Sequence, residues 1–435
     1  MTGDQLPHRL TEIPGPASRQ LAARLQRVES PNITALQPDP PIFWQDARGA
    51  NVRDVDGNIY VDLTAGFGVT NAGHSNPAVA AAIARQAQRL AHALGDVHPA
   101  DVKVRLLEKL AAIMPSHLAV AILGSSGAEA VEAALKTAVM HTSRTGIIAF
   151  ENSYHGLTYG ALAVTHRSHF REPFERQLFA HVHFVPFPAN DASLPTALAA
   201  IDRIIAAEEG GEHPIGCIIV EPVQGRGGIV VPPDDFLTQV RARCDGRRCI
   251  LIFDEIYTGM GRTGYWLAAE KWGVTPDVAV VGKGLSGAVP LSAAVGSRDV
   301  MSSWPASTGE AIHTSTFIGN PIACAAALAQ IEEIEGHDLL ARAHMLGAYI
   351  RQRSRAWQDA GLIREARGVG LLQGVALDDA ARALRVVQAC LQRGVLLLVE
   401  GPAADILALT PPAVITTEQL DYALDTIELC LRNAA

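Results

Sequence analysis

Two ionisable side chains of opposite charge stand at the ends of apolar runs in the middle of the chain. The run "CILIF" ends at Asp254, and the run "VAVVG" leads to Lys283. A buried carboxylate or amine is costly unless it meets a partner, so the two groups could form a structural ion pair. Alternatively, each meets its own partner on one planar ligand, where a pyridinium nitrogen pairs with the acid and an aldehyde condenses with the amine. Burial favours this second interpretation, because it lowers the pKa of a lysine and so favours the neutral nucleophile.

Two further stretches could hold the remaining parts of such a ligand. "LGSSGAEAVEAALK" ends a strand and opens a helix, so free backbone N–H groups and the hydroxyls of Ser125 and Ser126 could bind a phosphate. Simple helix capping by serine is the alternative. In "ENSYHG", Tyr154 and His155 follow a strand, where an aromatic ring could stack on a planar ligand or only pack. Pyridoxal phosphate has a phosphate, a ring nitrogen and an aldehyde, and the combination of motifs predicts it as the cofactor.

The middle of the chain alternates strand-like and helix-like runs. Apolar runs such as "GIIAF", "CIIVEP" and "CILIFDE" alternate with helical patterns such as "LPTALAAIDRIIAAEE". This alternation is typical of an α/β fold whose large, mostly parallel sheet is covered by helices on both faces. Ligands of such sheets bind at the carboxyl ends of the strands, where Asp254 and Lys283 are expected.

The two ends of the chain differ from this middle part. Residues 1–60 are predicted to form an N-terminal arm and the start of a smaller domain, with a hairpin around Asp56 and Gly57. Residues 61–325 are predicted to form the large cofactor-binding α/β domain. Residues 326–435 are predicted to form a C-terminal small α+β domain.

Composition argues against several other classes of function. With 48% hydrophobic and 19% charged residues in 435, the chain is typical of an α/β enzyme. Its net charge of −9 without basic runs argues against nucleic acid, and the lack of a long apolar window argues against a membrane. The motifs H-E-x-x-H and G-x-x-x-x-G-K-[ST] are absent, which argues against a metal site and a P-loop kinase. Six cysteines without C-x-x-C spacing and an N-terminus without a signal-peptide core predict buried thiols and a cytoplasmic location.

Taken together, the motifs resemble one known family. From "GNIYVDLTAGFGVTNAGHSNP" to its C-terminus, the sequence resembles the class III aminotransferases, the 4-aminobutyrate, ornithine and omega-aminotransferase group of the fold-type I pyridoxal-phosphate enzymes. The motifs that carry the resemblance are "SSGAEAVEAALK", "SYHG", "EPVQG", "LIFDEIYTGMGRTG", "PDVAVVGKGLSGAVPLSA", "TSTFIGNP" and "ARGVGLLQG". The resemblance implies a fold-type I α/β domain with a smaller C-terminal α+β domain.

The resemblance also implies a role for each residue around the cofactor ring. Lys283 would form the internal aldimine with pyridoxal phosphate and later move a proton between the substrate carbon and the cofactor carbon. Asp254 would keep the ring nitrogen protonated, so that the ring accepts electrons. Tyr154 would stack on the ring, and Ile256 would pack against its opposite face.

For the phosphate group, the resemblance implies contacts from two subunits. Ser126, Gly127 and Ala128 would bind it at the start of the helix, although relatives more often have serine or threonine at the third position. Thr316 matches a threonine that reaches the phosphate from the neighbouring subunit. The resemblance therefore implies a homodimer with shared active sites.

Two positions depart from the family pattern. In 4-aminobutyrate-type relatives, a glutamate follows "EPVQG" and pairs with an arginine in a C-terminal "I-R-x-x-P-P" stretch, which binds substrate carboxylates. Here these positions hold Arg226 and Ala408. Arg226 is the first candidate for a substitute guanidinium, unless it faces solvent or the phosphate loop. The interpretation we favour is that the amine donor lacks the usual carboxylate, as an amino sugar does.

Two aromatic residues complete the candidate substrate site. Tyr257 stands where many relatives have a glutamine near the ring hydroxyl of the cofactor, and a phenol could serve there. Phe67 in "TAGFGV" either packs against the substrate's carbon skeleton or is a core aromatic.

The sequence thus predicts a pyridoxal-phosphate-dependent aminotransferase, which moves an amino group from an amine or amino acid to a keto acid through a pyridoxamine intermediate. A racemase or epimerase is the alternative on the same scaffold, because the same cofactor chemistry allows reprotonation on the other face. A binding protein that keeps the cofactor cradle without turnover is less favoured, because Lys283 and Asp254 are both present.

Overall fold

The computed structural model describes residues 1–36, 40–115 and 117–434. Strands in these residues form three sheets. In chain order they are β1 (Trp44–Arg48), β2 (Asn51–Asp54), β3 (Ile59–Asp62), β4 (Leu118–Gly124), β5 (Gly146–Phe150), β6 (Val182–Val185), β7 (Ile215–Val220), β8 (Ile250–Asp254), β9 (Val278–Val281), β10 (Ser292–Ser297), β11 (Glu365–Val369), β12 (Leu372–Ala376), β13 (Val395–Leu396), β14 (Leu398–Glu400) and β15 (Ile406–Leu409).

Helices connect and cover these strands. Two of the longer ones begin at an Asn-Pro pair, where Asn76 or Asn320 caps the first turn and the proline follows at the first helical position. In chain order the helices are α1 (Pro16–Leu25), α2 (Ala65–Gly68), α3 (Pro77–Arg89), α4 (Asp101–Ile113), α5 (Gly127–Thr142), α6 (Tyr159–Val164), α7 (Ser168–Arg171), α8 (Leu194–Glu208), α9 (Phe236–Asp245), α10 (Arg298–Met301), α11 (Pro321–Gly336), α12 (Leu339–Asp359), α13 (Ala380–Leu391) and α14 (Thr417–Asn433).

The large sheet has the strand order β4-β10-β9-β8-β7-β5-β6. Strands β9, β8, β7, β5 and β6 pair in parallel, and β10 is antiparallel to both of its neighbours. Its central strands are buried along their whole length because helices cover both faces. This arrangement confirms the predicted α/β class and the large, mostly parallel sheet.

Neighbouring residues of each central strand enter different cores. Ile219 and Ile252 pack with α5 on one face, whereas Ile218 and Leu251 pack with α8 and α9 on the other. Successive side chains of a strand point to opposite faces, so a continuous apolar run is what a doubly covered strand requires.

Two smaller sheets bring the N-terminal and C-terminal parts of the chain together. Strands β1, β2 and β3 form an antiparallel meander, and β3 pairs in parallel with β13, with Val61 opposite Val395. The β2–β3 connection is the hairpin predicted around Asp56 and Gly57. The third sheet is antiparallel, in the order β11-β12-β15-β14. The predicted domain limits stay a prediction; the limit at residue 325 falls inside α11, which packs mainly on α3 and α4.

Two properties of the chain as a whole bear on the sequence predictions. All six cysteines are buried and unpaired. Among the residues described, no helix combines the length and apolar character needed to cross a membrane.

Candidate active site

A cavity of about 610 Å³ opens at the carboxyl ends of the parallel strands. Strands β4, β5, β7, β8 and β9 each end next to it, as expected for an open α/β sheet. The cavity is lined by all but one of the predicted site residues: Phe67, Ser126, Gly127, Ala128, Tyr154, Arg226, Asp254, Ile256, Tyr257 and Lys283. Thr316 is the exception, because it is exposed and lies outside the lining of this cavity in the single chain.

Asp254, the last residue of β8, is held by two neighbours at the base of the cavity. The side chain is 4% exposed, its Oδ2 lies 2.7 Å from His155 Nδ1, and its Oδ1 accepts the N–H of Ile256 at 3.0 Å. The other ring nitrogen, His155 Nε2, is buried without a hydrogen-bond partner among the described residues. Asp254 is therefore fixed in position, and it does not form the direct ion pair with Lys283 that was one of the two interpretations.

Lys283 follows β9 in a conformation that its residue type rarely adopts. Its φ is +42°, in the left-handed region, and such strain is often found at functional positions. Its Nζ lies 4.6 Å from the centre of the Tyr257 ring. Burial lowers the pKa of this amine, while Asp254 and Glu221 oppose the shift. The neutral amine is thereby favoured relative to an exposed lysine.

Tyr257 presents the face of its ring to Lys283. The ring is confined by two glycines, since a Cβ at Gly68 or at Gly225 would overlap it. Burial raises the pKa of the Tyr257 phenol. The sequence suggested a role for the phenol near the cofactor's ring hydroxyl, whereas the observed contact with Lys283 is made by the aromatic face.

The loop between β4 and α5 is arranged for an anion. Ser126 is the N-cap of α5, and its Oγ accepts the N–H of Glu129 at 3.2 Å, so the capping interpretation of this serine holds. The N–H groups of Gly127 and Ala128 belong to the first helical turn, where no helical carbonyl can accept them. These N–H groups and the helix dipole favour a phosphate at this place.

Ile256 is wedged between two glycines beside that loop. A Cβ at Gly127 would lie 3.2 Å from Ile256, and one at Gly282 would lie 2.9 Å from it. Both contacts are tighter than ordinary van der Waals packing, so a larger residue at either position would force Ile256 to shift. The glycines of "SSG" and "VGK" thus keep room for a flat ligand.

Arg226 faces the cavity rather than solvent alone. Its Nε lies 3.5 Å from Oε2 of Glu400, and its guanidinium carbon lies 5.0 Å from the centre of the Tyr154 ring. Glu400 is 4% exposed; burial raises the pKa of this carboxyl, and Arg226 opposes the shift. Ala408, which the resemblance aligns with the arginine of 4-aminobutyrate-type members, is buried in an apolar cluster with Val223.

Sequence reasoning assigned no role to two acids that line this cavity, Glu221 and Glu400. Glu221 follows β7, and its two carboxylate oxygens accept the N–H groups of Tyr154 and Gly225, each at 3.0 Å. Burial raises the pKa of Glu221 to about 7. Both glutamates end an apolar run, as Asp254 does, and the same signal would have found them.

The residues present fit pyridoxal phosphate. Asp254 offers a fixed carboxylate for a protonated ring nitrogen, and Lys283 offers an amine for an aldehyde. The first turn of α5 offers N–H donors for a phosphate. His155, which contacts Asp254 through Nδ1, has a buried Nε2 without a hydrogen-bond partner in the part of the chain that the structure describes. Taken together, the fold and this set of donors define a pyridoxal-phosphate-dependent enzyme.

Comparison with known proteins identifies the family. The family model for "Aminotransferase class-III" matches residues 34–431, and the chain belongs to the class III aminotransferases, which confirms the resemblance seen in the sequence. Acetylornithine aminotransferase of Methanosarcina mazei is 37% identical over 388 residues, which cover 89% of this chain and 91% of that protein. Leucine/methionine racemase of Thermococcus litoralis is 36% identical, over 90% of this chain and 91% of that protein.

A solved structure of the same kind carries the cofactor. The amine transaminase from an uncultivated Pseudomonas species, in its pyridoxal-phosphate-bound form, matches with a TM-score of 0.86 and 28% identity, over 94% of this chain and 99% of that one. The cofactor of the present enzyme is accordingly pyridoxal phosphate, and its class of activity is aminotransfer.

Proposed function

We propose that this enzyme transfers the amino group of an amine that lacks the usual carboxylate, such as an amino sugar, to a keto acid. The observation that carries the proposal is the environment of Ala408, which is buried among Val223, Ile229 and Tyr257. Relatives of the 4-aminobutyrate type have a carboxylate-binding arginine at that position. Arg226, the nearest substitute, is already beside Glu400. An amine without a carboxylate suits a pocket of this kind, because it needs no additional cation.

When bound, pyridoxal phosphate supplies an aldehyde that takes up the amino group and a ring that accepts the electron pair left on the substrate carbon. The protein's part is proton movement and orientation. Lys283 Nζ would take up the proton of the substrate carbon and return it once the amino group has been transferred. Asp254 would hold a proton on the ring nitrogen, and Tyr154 and Ile256 would contact the two faces of the ring.

The remaining assignments follow the same proposal. Ser126, Gly127 and Ala128 hold the phosphate at the start of α5, and Phe67 packs against the carbon skeleton of the substrate. Phe67 is 54% exposed at the mouth of the cavity, which supports contact with a ligand over a role as a core aromatic.

The working unit in this proposal is a homodimer with shared active sites. Thr316 is exposed, and Ile312 and Phe317 close to it are 64% and 60% exposed. Covering these apolar side chains with a second subunit would remove them from water and bring Thr316 to the phosphate of that subunit's cofactor. The cytoplasmic location stays a prediction, supported by the six buried thiols.

A half-reaction screen tests the proposal. The holoenzyme is mixed with single amines in the absence of a keto acid, and the cofactor spectrum is followed. Conversion to the pyridoxamine form by amino sugars or simple amines, with slower conversion by α-amino acids, is the expected result. Conversion by α-amino acids alone contradicts the proposed donor.

Racemisation is the second candidate, and the similarity to a leucine/methionine racemase favours it. Its distinguishing result is exchange of the substrate's α-hydrogen with solvent and loss of optical purity without formation of the pyridoxamine form. The same screen, run in deuterated water, separates the two reactions.

A further inference from the structure

Arg262, in the loop after β8, is a buried cation that the proposed reaction does not use. It is 2% exposed, and its Nη1 donates to the carbonyls of Pro411 at 2.6 Å and Leu371 at 3.2 Å. Its Nη2 donates to Oδ1 of Asn71. Burial lowers the pKa of the guanidinium to about 10. Because these acceptors are all uncharged, each of them matters for keeping the charge in the interior, and Asn71 supplies the one that belongs to a side chain.

The carboxamide of Asn71 has a single orientation that satisfies its contacts. The residue is 4% exposed; its Oδ1 accepts from Arg262, and its Nδ2 donates to the carbonyl of Met260 at 2.7 Å. Rotating the amide by half a turn would place its NH2 group against the guanidinium, which has only donors, and its oxygen against a carbonyl, which has only acceptors. Arg262 and Met260 therefore fix the direction of each end of the amide.

The fixed amide lies against the backbone that follows Lys283. A Cβ at Gly284 would be 2.6 Å from Asn71 Nδ2, so the backbone of Gly284 and the amide are in direct contact. On the other side of Lys283, a Cβ at Gly282 would be 2.9 Å from Ile256. Lys283 is thus held between two glycines, each packed on one side chain. Its φ of +42° is a strained conformation that persists only where the surroundings impose it, and Asn71 is part of those surroundings.

Further contacts connect this segment to the third sheet. Leu371 lies between β11 and β12, and Ala413 follows β15. The backbone carbonyl of Arg262 accepts the N–H of Leu371 at 2.9 Å, and that of Asn71 accepts the N–H of Ala413 at 2.9 Å. Through Arg262 and Asn71, the place of Lys283 is coupled to loops of a sheet that is remote from it in sequence.

We propose that Arg262 and Asn71 are positioning residues for Lys283. Arg262 fixes the orientation of the Asn71 carboxamide, and Asn71 holds Gly284, so that the backbone keeps the conformation that directs the amine of Lys283 into the cavity. Both side chains lie outside the lining that the described residues give this cavity. The proposal rests on the role proposed above for Lys283, and it assigns a function to two side chains that act through it.

Uptake of pyridoxal phosphate by the cofactor-free protein is the first measurement. The rate is followed by the visible absorbance of the lysine-bound cofactor, whose dependence on pH is then titrated. In Asn71→Ala the amine spends less time in its productive position, and uptake should slow about tenfold. Water also gains access to Lys283, which favours the charged form, so the pH midpoint of the absorbance should rise. A residue that only supports the fold would change neither quantity.

Gly284→Ala tests the same contact from the other side. Gly284 does not have a positive φ, so alanine brings a methyl group towards Asn71 without straining the backbone. This variant should also slow uptake about tenfold. Asn71→Ala in the same chain removes the group with which the methyl collides, so the double variant should be no slower than Asn71→Ala alone. Losses that multiply in the double variant would overturn the proposal, because the two residues would then act independently.

Two variants of Arg262 test the arginine. Arg262→Gln removes the charge and should reproduce both effects of Asn71→Ala, whereas Arg262→Lys keeps the charge and a donor for Asn71 and should recover part of the uptake rate. Arg382→Gln is the matched control, since Arg382 is 7% exposed and its Nη2 donates to the carbonyls of Leu362 at 2.9 Å and Leu431 at 3.4 Å. The control should lower the melting temperature and leave uptake and midpoint unchanged.

A purely structural role would also overturn the proposal. It would appear if Asn71→Ala and Arg262→Gln lowered the melting temperature, as Arg382→Gln does, without changing uptake or midpoint. If the Arg262 variants fail to fold, the cycle of Asn71→Ala and Gly284→Ala decides alone. Lys283→Ala separates these failures from failure of the proposed function, because a Lys283→Ala protein that still develops the absorbance would show that another amine binds the cofactor.

Discussion

Lys283 Nζ lies 4.6 Å from the centre of the Tyr257 ring, so the lysine meets an aromatic face rather than the nearby carboxylate of Asp254. A protonated amine above such a face is attracted by about 0.5–2 kcal/mol, whereas the neutral amine that burial favours keeps only the packing contact. The contact gives the free side chain of Lys283 a preferred place beside the cavity. Because Gly68 and Gly225 confine the ring, that place is defined by the fold.

Replacing Tyr257 tests whether its ring or its hydroxyl matters. Tyr257→Phe keeps the aromatic face, and we expect turnover within about threefold of the unmodified enzyme. Tyr257→Gln removes the face and should lower turnover about tenfold, as expected for the loss of a contact of this kind. Steady-state kcat of both variants is the measurement, and equal losses in the two would assign the effect to the hydroxyl.

Asp254→Asn should separate the charge of this residue from its structural contacts. The amide keeps an oxygen that can accept the N–H of Ile256, so the melting temperature should change little. Without the negative charge the ring nitrogen loses its proton, and turnover should fall about 100-fold or more. Kinetics combined with thermal unfolding measure both, and unchanged turnover would contradict the role of Asp254.

The raised pKa of Glu221 predicts that the stability of the cofactor-free protein depends on pH. Burial raises its pKa to about 7 from an ordinary 4.5, so between these values the folded protein binds more protons than the unfolded chain. The contribution of Glu221 to the free energy of unfolding is therefore fully present below pH 4.5 and decreases as the pH rises towards 7.

The Glu221→Gln variant isolates this contribution. Relative to the unmodified protein, its free energy of unfolding should rise by about 3 kcal/mol between pH 4.5 and pH 8, because glutamine carries no charge to bury. Chemical denaturation at several pH values measures the difference. A difference that is constant with pH would show that Glu221 is ionised in the folded protein throughout.

Mixing two inactive variants tests the shared active site. Lys283→Ala removes the amine, and Thr316→Asp places a negative charge where the phosphate of the neighbouring subunit is proposed to lie. A mixed dimer would have one site with both changes and one with neither. Because full exchange of equal amounts makes half of the dimers mixed, activity should reappear at about a quarter of the unmodified value per site. Failure of exchanged subunits to recover activity would place Thr316 outside the neighbouring site.

The parts of the site that lie at strand ends were predictable from the sequence. Asp254 ends β8 and Lys283 follows the neighbouring parallel strand β9, and the carboxyl ends of such strands meet at one edge of the sheet. Tyr154 follows another of these strands by the same rule. Position in the sheet was enough to bring all three to one cavity.

Contacts between separate sheets could not be derived in this way. Glu400 belongs to β14 in the third sheet, and its meeting with Arg226 depends on how that sheet packs against the large one. The direction of the Tyr257 ring likewise depends on Gly68, a residue remote in sequence. Such pairings follow from tertiary packing, for which hydrophobic periodicity carries no signal.

The parallel pairing of β3 with β13 has a consequence for biosynthesis. During synthesis the β2–β3 hairpin leaves the ribosome long before Val395 and Leu396, the residues that complete its sheet, have been added to the chain. Until then the edge of β3 at Val61 and Asp62 has no neighbour, although Ile59 can already pair with His8. An unpaired edge is prone to associate with other nascent chains. The N-terminal sheet of this enzyme therefore depends on residues that are translated more than 300 positions later, and the incomplete hairpin is a place where a chaperone would be expected to act.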